Sequence, residues 1–127
     1  LHIAQLIHKA DLKEHHKVLH IGGMTGYVSV MLSKLSKELI VLENHNNLLC
    51  KLKENIANLD INNIKIHCSE NALDDFSLLI SAKKLYCAPS TFSWWAAHAL
   101  SKDAQVVMPK YFKIDYQTVT LDKVFSR

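Results

Sequence analysis

Apolar residues recur along this chain in two alternating periods. Ile3, Leu6, Ile7 and Ala10 share one face at helical spacing, and a polar stretch over 11–17 leads into the apolar-rich run Val18-Leu19-His20-Ile21. That run breaks at Gly22-Gly23-Met24-Thr25-Gly26, after which Val28, Met31, Leu32 and Leu35 resume a helical stripe. Glu38-Leu39-Ile40-Val41-Leu42-Glu43 reads as a second buried strand ending on an acid. Asn44 to Asn47 supplies N-capping chemistry for a helix carrying Leu48, Leu49, Leu52, Ile56 and Leu59. Asn62-Asn63 predicts a turn, and Ile64-Lys65-Ile66-His67-Cys68 alternates like a strand near a sheet edge.

The same rhythm continues downstream. Ala72, Leu73, Phe76, Leu79 and Ile80 form a helical face reaching Ala82, and Leu85-Tyr86-Cys87-Ala88 is a short strand stopped by Pro89. Ser90 or Thr91 then caps a helix with Phe92, Trp95, Ala96, Ala99 and Leu100, and Ala104 to Met108 is a fifth strand stopped by Pro109. The tail from Tyr111 to Arg127 has the weakest pattern, its alternation over Tyr116 to Leu121 fitting an edge strand or a docked arm. Strand and helix alternating with short connections predict an α/β fold, a Rossmann-like three-layer αβα sandwich with about five mainly parallel strands. Ligands of such sheets sit beyond the carboxyl ends of the strands, where Gly22, Gly23, Glu43 and Pro89-Ser90-Thr91 would gather.

Length narrows this to one domain over residues 1–127, since 127 residues leave little room for a second core. The 49% hydrophobic content belongs to a globular chain, and the formal charge of +3 comes from basic residues that are scattered rather than striped. No nucleic acid partner is expected on that ground. Cys50, Cys68 and Cys87 are odd in number, widely spaced and set in apolar stretches, so they read as buried free thiols of a reducing compartment. Without CxxC, HExxH or a regular Cys/His ladder the eight histidines predict no metal site. No apolar run approaches the ~20 residues that span a bilayer, which predicts no membrane and a cytoplasmic location. The chain opens on Leu1 rather than Met, which points to a segment upstream.

Chemistry concentrates at the glycines. Gly22 suits a backbone conformation closed to other residues, and Gly26 lets the following helix pack closely or a bound group approach. Glu43 falls 21 residues after Gly22, near the ~20-residue spacing at which an acid on the second strand holds a ribose hydroxyl pair. The alternative is a plain tight turn, with Glu43 capping the next helix. Asp74-Asp75 is explained by the dipole of the helix it opens, and Trp94-Trp95 by packing, one ring beneath the sheet and the other over a neighbouring helix. An exposed apolar patch around those tryptophans would instead mark a protein interface.

From about Ile3 to Cys68, the glycine-bearing strand and turn over residues 18–27, Ile40-Val41-Leu42-Glu43 and Asn63-Ile64-Lys65-Ile66 resemble the class I S-adenosylmethionine-dependent methyltransferases of the protein-L-isoaspartate O-methyltransferase type. The resemblance implies that Gly22, Gly23, Gly26 and Glu43 contact S-adenosyl-L-methionine, with Glu43 on the ribose. It also implies methyl transfer to an oxygen nucleophile where the site is active, and a protein substrate or partner. Two positions depart from the family pattern: His20 stands for an acid and Met24 for the middle glycine. No residue reads as a general base.

From about Asn71 to Phe112, the strings Asp74-Asp75-Phe76-Ser77-Leu78-Leu79-Ile80-Ser81-Ala82 and Ala88-Pro89-Ser90-Thr91-Phe92-Ser93-Trp94-Trp95-Ala96-Ala97, with Val106 to Phe112, look like the family 11 glycosyltransferases of α-1,2-fucosyltransferase type. That resemblance implies a GDP-fucose site near Ser90, Thr91 and Ser93, although the family's His-x-Arg-Arg motif has no counterpart and Arg127 is the single arginine. Taken together they predict a composite chain, with a methyltransferase-like half over 1–70 and a glycosyltransferase-like half over 71–127 sharing one sheet. The expected ligand is a small nucleotide-type molecule. A non-catalytic α/β domain that binds a partner is the remaining reading.

Overall fold

The computed structural model describes residues 2–109 and 116–119. Its elements follow the order α1 (His2–Ala10), β1 (Lys17–Ile21), α2 (Tyr27–Ser33), β2 (Glu38–Leu42), α3 (Asn46–Ala57), β3 (Ile64–His67), α4 (Ala72–Ile80), β4 (Lys84–Tyr86), α5 (Thr91–Ala99), β5 (Gln105–Pro109) and β6 (Tyr116–Val119). This is the Rossmann-like α/β alternation that the periodicity predicts. The chain divides into two compact units, Asp11–Asp75 and Leu1–Ala10 with Phe76–Arg127.

In the unit Asp11–Asp75 the three strands are parallel in the order β1-β2-β3, with Val18 opposite Leu39 and Leu39 opposite Ile64. β2 is the central strand, and Leu39, Val41 and Leu42 are all buried, the continuous apolar run that a parallel strand covered on both faces requires. Leu39 and Val41 pack with Leu52 and Ile56 of α3, and Val18, Val30, Leu32, Ile64 and Ile66 close round them. Leu52 and Ile56 are one helical turn apart, which places both on the inner face. Asn63 anchors the turn before β3 by donating from Nδ2 to the Ser33 and Ser36 carbonyls at 2.7 and 3.1 Å.

The other unit has its own core of Leu85, Cys87, Ala96, Ala97, Leu100 and Val106, with Phe76, Leu79 and Ile80 of α4 packed against it. β4 and β5 pair in parallel, and β6 joins β5 antiparallel, so the alternation over Tyr116–Val119 is an edge strand. The Tyr86 hydroxyl donates to the carbonyls of Lys9 and Ala10 at 3.2 and 3.0 Å, which satisfies the end of α1 and ties it to this segment. Among the described residues, hydrogen-bonded pairing gives the orders β1-β2-β3 in one unit and β4-β5-β6 in the other.

Three expectations are corrected. Cys50 and Cys68 are exposed, and Cys87 alone is buried, its thiol pushed up to about 11 by burial. The periodicity misleads because Cys50 follows Leu48 and Leu49 on α3 yet lies on the outer face. Trp94 and Trp95 are 40% and 55% exposed. They stack edge to face with centroids 4.9 Å apart, because Ala96 and Ala97 take the inward positions of α5. The N-cap of α3 is His45, whose side chain makes no cap hydrogen bond, so the capping expected of Asn44 to Asn47 is not performed by an asparagine: Asn44 lies before the cap, and Asn46 and Asn47 lie within the helix.

Candidate functional site

The site is built where β1 turns into α2. The N–H groups of Gly22 and Gly23 both donate to the Leu42 carbonyl, at 2.8 and 3.1 Å, folding the turn back over the end of β2. Gly22 has φ +80, and a Cβ added there meets nothing within 4 Å. Its open side is space that a ligand backbone or ring can approach. The other glycines answer to packing: a Cβ on Gly23 would sit 2.2 Å from Val41 Cγ1, and one on Gly26, at φ +100, 2.9 Å from Leu52 Cδ1. Of the two roles the sequence leaves open for Gly26, close packing of the helix is the one the geometry supports.

Met24 also lies in the left-handed region, at φ 52, and its side chain is 57% exposed. Its backbone N–H donates to Glu43 Oε2 at 2.8 Å. Glu43 is 7% exposed, and its Oε1 accepts the His45 N–H at 2.9 Å. Glu43 therefore serves the N-terminus of α3, as the alternative expects, and also grips the glycine turn. Two of the about four acceptor positions of a carboxylate are used in this way.

His20, one residue short of the end of β1, pairs its Nδ1 with Ser29 Oγ at 3.0 Å beneath the first turns of α2. Burial holds its imidazole below the usual 6.5, and nearby Glu43 offsets part of that. Because the folded value is depressed, unfolded chain binds more protons in the acid window. The stability this group contributes is present above about pH 6.5 and is lost as pH falls through that value towards the folded one. The urea midpoint is expected to fall from about pH 7 to about pH 5, and His20→Asn to flatten that slope. An unchanged slope in the variant would mean that His20 is not the responsible group.

Gly22, Gly23, Gly26 and Glu43 are thus brought together at the carboxyl edge of one sheet. Ser90, Thr91 and Ser93 lie in the other unit, at the start of α5. Ser90 is the cap of that helix, its Oγ accepting the Ser93 N–H at 3.2 Å and lying 3.0 Å from Ser93 Oγ. Among the described residues no group of three or more His, Cys, Asp or Glu side chains is placed to hold a metal ion, and no helix is long and apolar enough to cross a membrane.

Residues 1–73 match the sequence family Protein-L-isoaspartate(D-aspartate) O-methyltransferase (PCMT), which covers more than half of the chain. The chain belongs to this family. Solved structures agree at the level of fold. The PCMT-family chain is similar to precorrin-6y C5,15-methyltransferase from Geobacter metallireducens, with 18% identity, a TM-score of 0.61 and coverage of 84% of this chain and 59% of that one. A protein-L-isoaspartate O-methyltransferase gives 19% identity and a TM-score of 0.58, covering 84% of this chain and 35% of its own. A dimethyladenosine transferase from Plasmodium falciparum gives 20%, a TM-score of 0.57, and coverage of 84% and 39%. This chain therefore spans between about a third and three fifths of the length of those proteins.

The coverage of 84% exceeds what residues 1–73 can supply, so the likeness to methyltransferase structures runs into the second half of the chain. No comparison supports a glycosyltransferase resemblance there. No curated protein matches by sequence. Two features of the site escaped sequence reasoning: the bond from Met24 N–H to Glu43, and the burial of Asp75, 7% exposed, which the helix dipole alone does not foretell. Both arise from contacts distant in sequence and carry no periodic signal.

Proposed function

We propose that the unit Asp11–Asp75 binds S-adenosyl-L-methionine at the Gly22 turn, as part of a methyltransferase acting on an oxygen of a protein-L-isoaspartate substrate. The observation that carries this reading is the Glu43 carboxylate, buried at the carboxyl end of β2, joined to the turn through Met24 N–H and retaining acceptor positions for a hydroxyl pair. The residues fit the ligand: Gly22 leaves the approach open, and the exposed Met24 side chain can swing aside for it at some cost in affinity. When bound, S-adenosyl-L-methionine supplies a methyl group activated on a sulfonium centre. The chain supplies binding, alignment and a partly dry site. A cytoplasmic protein without a nucleic acid partner completes the proposal.

A second reading is a partner-binding domain without catalysis, favoured by the exposed Trp94 and Trp95. Calorimetric titration of the chain with S-adenosyl-L-methionine, with GDP-fucose in parallel, separates the two. Micromolar binding of the first alone is expected, and Met24→Gly is expected to tighten it severalfold by removing the one side chain over a position the family gives to glycine. Silence from both ligands would sink the cofactor reading and leave the partner-binding one. No change in Met24→Gly would remove that side chain as an obstruction.

A further inference from the structure

Asp75 stands in the first turn of α4, where a helix dipole favours an acid on the surface. This acid is buried, and both of its oxygens are taken. Oδ2 accepts from Asn44 Nδ2 at 2.8 Å, and Oδ1 accepts from the Ser69 hydroxyl. Asn44 Oδ1 in turn accepts the Ser69 N–H at 2.9 Å, which closes a triangle between the loops after β2 and β3. A buried carboxyl is tolerated because its bonds replace those lost to water, so this triangle is a fixed arrangement rather than a surface decoration.

The triangle connects to the site. Asn44 follows Glu43 directly, and the Glu43 N–H donates to the His67 carbonyl at 3.2 Å. Glu43 Oε2 then reaches the Met24 N–H. Polar contacts therefore run from α4 through the loops after β3 and β2 to the loop after β1, along the edge where a ligand of this fold sits.

We infer that Asp75 is a positioning residue, which through Asn44 and Ser69 fixes the backbone at Glu43 and so sets where its carboxylate stands against the Gly22 turn. Its effect on ligand affinity rests on the proposed role of Glu43; its effect on the turn does not.

The test is amide hydrogen exchange on the full chain, with S-adenosyl-L-methionine titrations alongside, for Asn44→Ala, Asp75→Ala and the double variant. The Met24 and His45 amides, both held by Glu43, are expected to exchange about tenfold faster in each single variant, with Leu39 and Val41 amides of β2 unchanged. The double variant adds little more, because the three side chains act as one unit. Ligand affinity is expected to fall about tenfold in step. Asn44 is exposed, so Asn44→Ala remains informative where Asp75→Ala fails to fold, and Asp75→Asn, which keeps one acceptor oxygen, should fall between. Unchanged exchange at Met24 and His45, or equal acceleration at Leu39 and Val41, would overturn the inference. Faster exchange at Met24 and His45 in a protein whose wild type binds no S-adenosyl-L-methionine would defeat the proposed function and leave the positioning role standing.

Discussion

Gly23→Ala is expected to cost about 3 kcal/mol of stability, the upper part of the range for overpacking a filled core. The added Cβ would lie 2.2 Å from Val41 Cγ1. Val41 cannot retreat, being fully buried on the central strand, in one cluster with Leu39, Leu52 and Ile56 and branched at its own Cβ. A urea titration at neutral pH should show a lower midpoint with little change in slope. Val41→Ala on the same background should restore part of the loss, because it removes the atom that clashes. Full additivity of the two changes would show that the clash is relieved elsewhere. Gly22→Ala provides the contrast, with open space but φ +80, at a cost of about 1–2 kcal/mol from backbone conformation alone.

Glu43→Ala is expected to abolish S-adenosyl-L-methionine binding and to lower stability by about 3 kcal/mol, since it leaves the Met24 and His45 N–H groups without their charged acceptor. Glu43→Gln keeps one oxygen and sets an amide against the other N–H, so its stability should be intermediate while binding still falls at least about tenfold. Calorimetry and urea denaturation on both variants read the two effects separately. Wild-type affinity in Glu43→Gln would show that a carboxylate is not what the ligand needs. Wild-type stability in Glu43→Ala would show that water satisfies the two N–H groups as well as Glu43 does.

What the residues reveal on their own depends on how local the cause is. The order of helices and strands follows from periods of two and of 3.6, and the boundaries found differ from the expected ones mostly by a residue or two, as at β1, which starts at Lys17 rather than Val18. Gly22 and Glu43 were visible because a fixed spacing couples them through one strand and one helix. The bonds from Glu43 to Met24 and from Asp75 to Asn44 span 19 and 31 residues, and no periodicity encodes which donor will face which carboxyl. The orientation of α5 was hidden for a related reason. Its apolar residues surround the helix almost completely, so the inward choice of Ala96 and Ala97 over Trp94 and Trp95 is made by close packing in the core and not by the stripe.

The three glycines of the turn obey different masters, and this changes what their survival would mean in a diverging lineage. Gly23 and Gly26 are held by the interior beneath them, so a copy that no longer met any ligand would still be purged of larger residues at both sites. Gly22 is held by backbone handedness alone, with empty space in front of it, and under relaxed selection asparagine or aspartate would drift in there first. A glycine still present at residue 22, alongside an acid at residue 43, is therefore the more telling mark of a working site than the motif counted as a whole.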